Sequence, residues 1–305
     1  MQKLLILFVL IAIMSSCSGG DPLFKIDNPT SKTIKMEVDG SPVDITPGNF
    51  VEITLKGGEH TFKLIEGTAA DGKSVVVYVY PESEGGIINP TLSDYVTVQA
   101  LYVKDEASVK NFGVSNKKII VDAKEYIGPF KLYNGFAIGK GMGRSLWKYD
   151  INEDLPDVDK IYDAGNGGNF QTKIFRGTDF VNFYKQEFVP YDGQPRELTE
   201  EEFALIEKPQ LVAVNRLDSI DLERFNEHPQ LKEAAGAYLE VIKKREASHS
   251  QSERQDLHKE SVQLISKITQ YINSSLPKNL HEAYNDLINS TSYNEEMGVR
   301  VKDVF

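Results

Sequence analysis

Ile34-Lys35-Met36-Glu37-Val38-Asp39-Gly40 alternates apolar with polar side chains and then stops on a turn pair. With a repeat of two, Ile34, Met36 and Val38 share one side of an extended chain, so the run reads as a strand with one buried face. Asp39-Gly40 supplies the turn that ends it. The same pattern continues outward on both sides. Phe24/Ile26 precede it, Val51/Ile53/Leu55 and Phe62/Leu64 follow it, and Asn28-Pro29-Thr30, Pro47-Gly48 and Lys56-Gly57-Gly58 punctuate the runs. Val75 to Tyr80 is apolar almost throughout, which predicts a central strand buried on both faces.

Short strands at this spacing predict a small antiparallel β-sandwich, Ig-like in general form, over residues 23–103. The next stretch, 104–196, is less regular. Ile119 to Val121, Phe130 to Tyr133 and Phe136 to Ile138 read as strands, and Asp105 to Phe112 as a short helix. Aromatic residues are dense here: Trp147, Tyr149, Phe170, Phe175, Phe180, Phe183 and Tyr184. Large rings that staple a second β-rich core are the preferred reading, with an exposed aromatic platform as the alternative. Over 197–305 the repeat changes to helical. Thr199 with Glu202 forms a capping box, and Pro229 suits the first turn of a helix carrying Leu231, Ala234, Ala235, Tyr238, Leu239 and Ile242. Leu257, Leu264, Ile265, Ile268, Tyr271 and Ile272 mark a second helix, and Leu280, Tyr284, Leu287 and Ile288 a third. The predicted class is therefore α+β: a β-sandwich, a β-rich irregular middle, and a C-terminal antiparallel helical hairpin or three-helix unit.

The amino terminus carries a different signal. Lys3 is followed by an unbroken apolar run, Leu4 to Met14, and then by Ser15-Ser16-Cys17. Such a run rises only about 16 Å as a helix, too short for a hydrocarbon core of about 30 Å, so it reads as a removable export segment. Met14-Ser15-Ser16-Cys17 resembles the lipobox of bacterial lipoproteins, with Met14 in place of the usual leucine. That resemblance implies a signal peptide over 1–16, a diacylated Cys17, and a tether over 17–22 that holds the chain to membrane lipid. Cys17 is the only cysteine in 305 residues, which excludes an internal disulfide and leaves lipidation to account for it. The implied location is the bacterial cell envelope, with the outer membrane favoured over the inner, periplasmic or surface-exposed.

The net charge of −11 becomes more negative when Lys3 leaves with the signal. An acidic surface argues against nucleic acid and against broad adhesion to anionic lipid. Val38-Asp39-Gly40, Thr46-Pro47 and Gly58-Glu59-His60-Thr61-Phe62 resemble the PEGA-type β-domains of bacterial envelope proteins. Over residues 33–64 this implies a binding or spacer module.

Motifs of chemistry fall away on their spacing. Gly139-Lys140-Gly141-Met142-Gly143-Arg144-Ser145 is glycine-rich and basic but fits neither phosphate-loop pattern. Ser145-Leu146-Trp147-Lys148 and Ser292-Tyr293-Asn294 resemble the first two elements of the penicillin-binding family, but no K-T-G follows. G-x-S-x-G and H-E-x-x-H are absent, and His60, His228, His249, His258 and His281 are scattered. Asp150, Asn152 and Asp154 reproduce the opening of an EF-hand loop, with Asp157 and Asp159 beyond. Leu155 stands where that loop needs glycine, and Ile161 where it needs a bidentate glutamate. A solvated acidic loop is the preferred reading, with a calcium site of another type on the metal candidates Asp150, Asn152 and Asp154 as the alternative. Trp147 and Tyr149 are nominated as ligand contacts.

No cofactor and no catalytic residue are expected. The leading expectation is a lipid-anchored envelope module that binds or supports a protein or glycan partner. A glycan-directed hydrolase working through paired carboxylates is the second class, and a spacer within an envelope assembly the third. A concave, aromatic-lined pocket with two carboxylates separates the enzyme from a docking surface.

Overall fold

The computed structural model describes residues 21–102, 116–142, 145–156, 169–206, 209, 211, 217, 220–248, 250–272 and 276–305. The signal segment, Cys17 and the helix predicted over 105–112 lie outside them, as do Asp157 and Asp159.

The opening strands form where alternation predicts them. They are β1 (Leu23–Asp27), β2 (Ile34–Val38), β3 (Ser41–Ile45), β4 (Phe50–Thr54), β5 (Gly58–Glu66) and β6 (Ser74–Val79). In β2, Ile34, Met36 and Val38 are buried while Lys35 is exposed. Asp39 and Gly40 both take positive φ, 49° and 80°, the conformation that a two-residue hairpin with the native twist requires. The chain continues through β7 (Gly86–Ile88), β8 (Tyr95–Tyr102), β9 (Lys117–Val121), β10 (Lys124–Gly128), β11 (Phe130–Tyr133), β12 (Ala137–Gly139), β13 (Asn169–Arg176), β14 (Arg196–Glu197) and β15 (Val299–Val304).

Two sheets, ordered β12-β7-β1-β4 and β15-β6-β5-β2-β3, contribute to one core. Phe24, Ile26 and Ile88 come from the first; Ile34, Met36, Phe62, Leu64, Val75, Val77, Val79 and Val299 come from the second. Phe136 closes the core edge-on against Phe62, with ring centroids 5.5 Å apart. All pairs in these sheets are antiparallel except β1 with β7. Strand β6 is covered on both faces: Val75, Val77 and Val79 fill the core, while Tyr78 and, just past the strand's end, Tyr80 are buried on the other side.

Chain order and spatial order part company at three places. Strand β8 pairs with β11 and β13, so residues 95–102 belong with the middle sheet and not with the sandwich drawn over 23–103. Strand β12 returns from the middle region to β7. Strand β15, at the end of the segment read as helical, completes the five-stranded sheet beside β6, and Ser74 and Phe305 exchange backbone hydrogen bonds of 2.7 and 3.0 Å. Each pairing is non-local, and side-chain period within a strand carries no information about which partner it finds.

The middle layer holds the sheets β11-β8-β13 and β14-β10-β9. Helix α1 (Gly177–Glu187) follows β13 directly and packs Phe180 and Tyr184 onto Tyr126 and Phe130, edge-on at 4.8 to 6.0 Å. Short helices α2 (Val189–Asp192) and α3 (Glu200–Ala204) come next, and α3 starts at the capping box: Glu202 N donates to Thr199 Oγ1, and Thr199 N donates to Glu202 Oε2. Helices α4 (Pro229–Ala247), α5 (Gln251–Tyr271) and α6 (Lys278–Glu296) share a core of Leu231, Ala235, Leu239, Ile268, Leu280 and Leu287. This helical part meets the five-stranded sheet through a polar seam. Arg254 stacks 4.3 Å from the Tyr80 ring, and Arg300 Nη1 donates to Glu246 Oε2 at 2.5 Å.

Gly139 in β12 lies beneath the Met297 carbonyl, and a methyl group there would overlap it; at Gly135 the nearest atom is 3.9 Å from such a group. Gly139→Ala is therefore expected to destabilise the chain by at least about 2 kcal/mol and Gly135→Ala by much less. Urea unfolding of both variants checks this, and equal losses would contradict the packing of β12 against the segment before β15.

Candidate functional site

Residues 147–156 run beside β13. Lys148 N and Tyr149 N both donate to Thr172 O, and Ile174 N donates to Tyr149 O at 3.0 Å. This pairing turns Trp147 inward. It is 1% exposed and packs with Tyr95, Tyr133, Ile138 and Ile174. The nominated aromatic contact is corrected at this residue, because Trp147 offers solvent no ring face. Tyr149 is half-buried, with Lys148 Nζ 5.4 Å from its ring. The dense aromatics of this region are largely core: Phe175, Phe180 and Tyr184 are buried.

The EF-like loop is occupied from within. Lys25 Nζ lies 3.0 Å from Asp150 Oδ2 and donates to Asn152 Oδ1 at 2.7 Å. From the other side Lys173 Nζ donates to the carbonyls of Asp150 and Glu153. Two ammonium groups thus lie against oxygens that a calcium ion on Asp150 and Asn152 would need. Among the described residues, no group of three or more His, Cys, Asp or Glu is placed to hold a metal ion.

Asp154 is different, because it lines a cavity of about 640 Å³. The cavity lies among the ends of β8 and β13, the 154–156 segment and α1, with Tyr102, Phe175 and Phe183 as its aromatic surface and Asp154, Lys173 and Glu187 as its charges. Phe183 and Glu187 are four residues apart on α1, so one helix face presents both. Phe175 and Phe183 pack at 4.7 Å, with Lys173 Nζ 4.7 Å from the Phe175 centroid. Burial lowers the Lys173 pKa, opposed by Asp154, Asp179, Asp150 and Glu153. The structure thus brings Tyr149, Asp150, Asn152 and Asp154 into one loop beside the cavity. It puts Trp147 on the opposite face of β13, with Ile174.

A second feature was not nominated from sequence. Two cavities, of about 620 and 550 Å³, share Asp94 and Asp122. Asp122 and Ala123 form the β9–β10 turn with φ of 49° and 57°, a conformation uncommon for residues other than glycine. Asp94 follows β7 and its carbonyl accepts from Gly177 N at 2.7 Å. Burial raises the Asp94 pKa; the Asn134 amide opposes the shift and Asp122 adds to it. A carboxyl kept protonated to higher pH beside a second carboxylate is the raw material of acid–base chemistry. A single aspartate between strands gives no signal of this kind in sequence, since its neighbour Asp122 arrives from another hairpin.

No protein-family model, curated protein or solved structure matches the chain.

Because burial holds Asp94 protonated to a higher pH in the folded chain than in the unfolded one, its favourable contribution is complete below the ordinary value of 3.8 and is lost as pH rises through the raised one. Asp94→Asn removes that loss. Its melting temperature is expected to exceed that of wild type at about pH 7, with the gap closing near pH 4; a gap independent of pH would show that desolvation of Asp94 is not its source.

Proposed function

We propose that this chain is a lipid-anchored binding protein of the bacterial cell envelope, held by Cys17 and presenting the Tyr102/Phe175/Phe183 cavity to its partner. The cavity carries the binding part of this reading: it joins an apolar aromatic surface to a few convergent charges, the usual make-up of a ligand site. The anchoring part is supported by the Lys3, Leu4–Met14 and Ser15-Ser16-Cys17 pattern, and more than one acyl chain gives stable attachment. Only Ser18-Gly19-Gly20-Asp21-Pro22 separate Cys17 from β1, a reach of at most about 20 Å. The sandwich is then the membrane-proximal part.

Two finer readings belong with it. The facing sheets are taken as Ig-like in general form, on the strength of their shared core. The PEGA-like reading of 33–64 gains support from contacts between two of its three motifs: Thr61 N donates to Asp39 Oδ1 at 2.8 Å, and His60 Nδ1 lies 2.7 Å from Asp39 Oδ2.

A hydrolase is the second reading, favoured by the raised pKa of Asp94 beside Asp122. It requires release of reducing ends from an envelope glycan by the wild type and loss of that release in Asp94→Asn; no release by the wild type removes it.

Protease shaving of intact cells, with the wild type compared against Cys17→Ala, tests the anchor. The wild type is expected in the membrane fraction and the variant in the soluble fraction, while digestion or protection of the wild type assigns the surface or the periplasm. Retention of Cys17→Ala in the membrane would overturn the proposal.

A further inference from the structure

We infer that the cavity between β8, β13 and α1 takes a carbohydrate, an inference that rests on reading the chain as a binding module. A sugar ring has a C–H face and a rim of hydroxyls, so it needs an aromatic surface beside hydrogen-bond acceptors. Tyr102 and Phe183 supply the surface, and the carboxylates of Asp154 and Glu187 supply acceptors on two different walls.

Other ligand classes fit less well. An anion meets two carboxylates, while the ammonium of Lys173 is already engaged by the Asp150 and Glu153 carbonyls. A cation meets an aromatic surface on which Lys173 already sits, over Phe175. An acyl chain desolvates the carboxylates of Asp154 and Glu187 and gives them no donor. A neutral or weakly polar oligosaccharide satisfies the acceptors and covers the rings together, and about 640 Å³ lies within the usual range for ligand cavities.

The purified full chain is tested on an array of neutral and acidic oligosaccharides, with tetramethylammonium and a random peptide library as the competing classes. Phe183→Ala and Glu187→Gln are run in parallel. Fluorescence of Trp147, the single tryptophan, reports that each variant is folded. The expected result is saturable binding of at least one oligosaccharide, weakened about tenfold or more by Phe183→Ala and less by Glu187→Gln. Glu187 is exposed, so its variant keeps the test valid if Phe183→Ala fails to fold. Oligosaccharide binding that neither variant weakens would overturn the assignment to this cavity. Binding of tetramethylammonium or peptide alone, weakened by the same variants, would overturn the carbohydrate and leave the binding module standing. No binding of any class would overturn both.

Discussion

Asp27 is fully buried at the end of β1, and the way its charge is met holds the β part of the molecule together. Arg176, at the end of β13, donates from Nε to Oδ2 at 2.9 Å and from Nη2 to Oδ1 at 2.5 Å, a two-pronged pair. Tyr95, at the start of β8, donates its hydroxyl to Oδ2 at 2.6 Å. Burial, followed by the charge of Asp27, raises the Tyr95 pKa well above its ordinary value, so the phenol stays a donor. The remaining guanidinium nitrogen donates to Gly48 O, in the turn between β3 and β4. A buried ion pair adds little net stability compared with a well-packed apolar substitute, but losing one partner strands the other charge. Its consequence here is registry: only one seating of β8 and β13 against β1 satisfies all of these bonds. The cavity lined by the end of β8 and by Lys173 and Phe175 of β13 inherits that position.

Local features were legible in the sequence because their causes are local. The Ile34/Met36/Val38 alternation, the Asp39-Gly40 turn, the Thr199/Glu202 capping box and the apolar stripe of α4 each lie within a few residues, and each is where the pattern predicts it. Pairings across the chain were not legible. Strand β15 shows period two in Val299 and Val301, yet nothing near them points to β6. The acidic loop is the sharpest case. Asp150, Asn152 and Asp154 present alternating oxygens that read as a cation site, and the loop does bind cations, but they are the ammonium groups of Lys25 and Lys173. Lys25 lies 127 residues from Asn152, far outside any window in which a loop motif is read.

The site was legible in part for the same reason. Phe175 and Phe183 stood out within a dense aromatic segment, but only folding separates the rings that fill a core from those that line a cavity. Trp147 went to the core and Phe183 to the cavity wall. Tyr102 and Glu187 acquire meaning only when β8 and α1 are placed side by side around β13. The helical part is joined to this assembly by a seam of charge and aromatic faces, Arg254 on Tyr80 and Arg300 on Glu246, so its docking to β6 and β15 depends on directional contacts as well as apolar burial.

A double-mutant cycle between Asp27→Ala and Arg176→Ala, followed by Trp147 fluorescence in urea, tests most directly the claim that one buried pair positions the β layers. Each single variant is expected to lose about 3–5 kcal/mol, and the double variant to lose less than their sum by at least about 2 kcal/mol, because removing both partners leaves no stranded charge. Losses that add, or that stay below about 1 kcal/mol in each single variant, would contradict it.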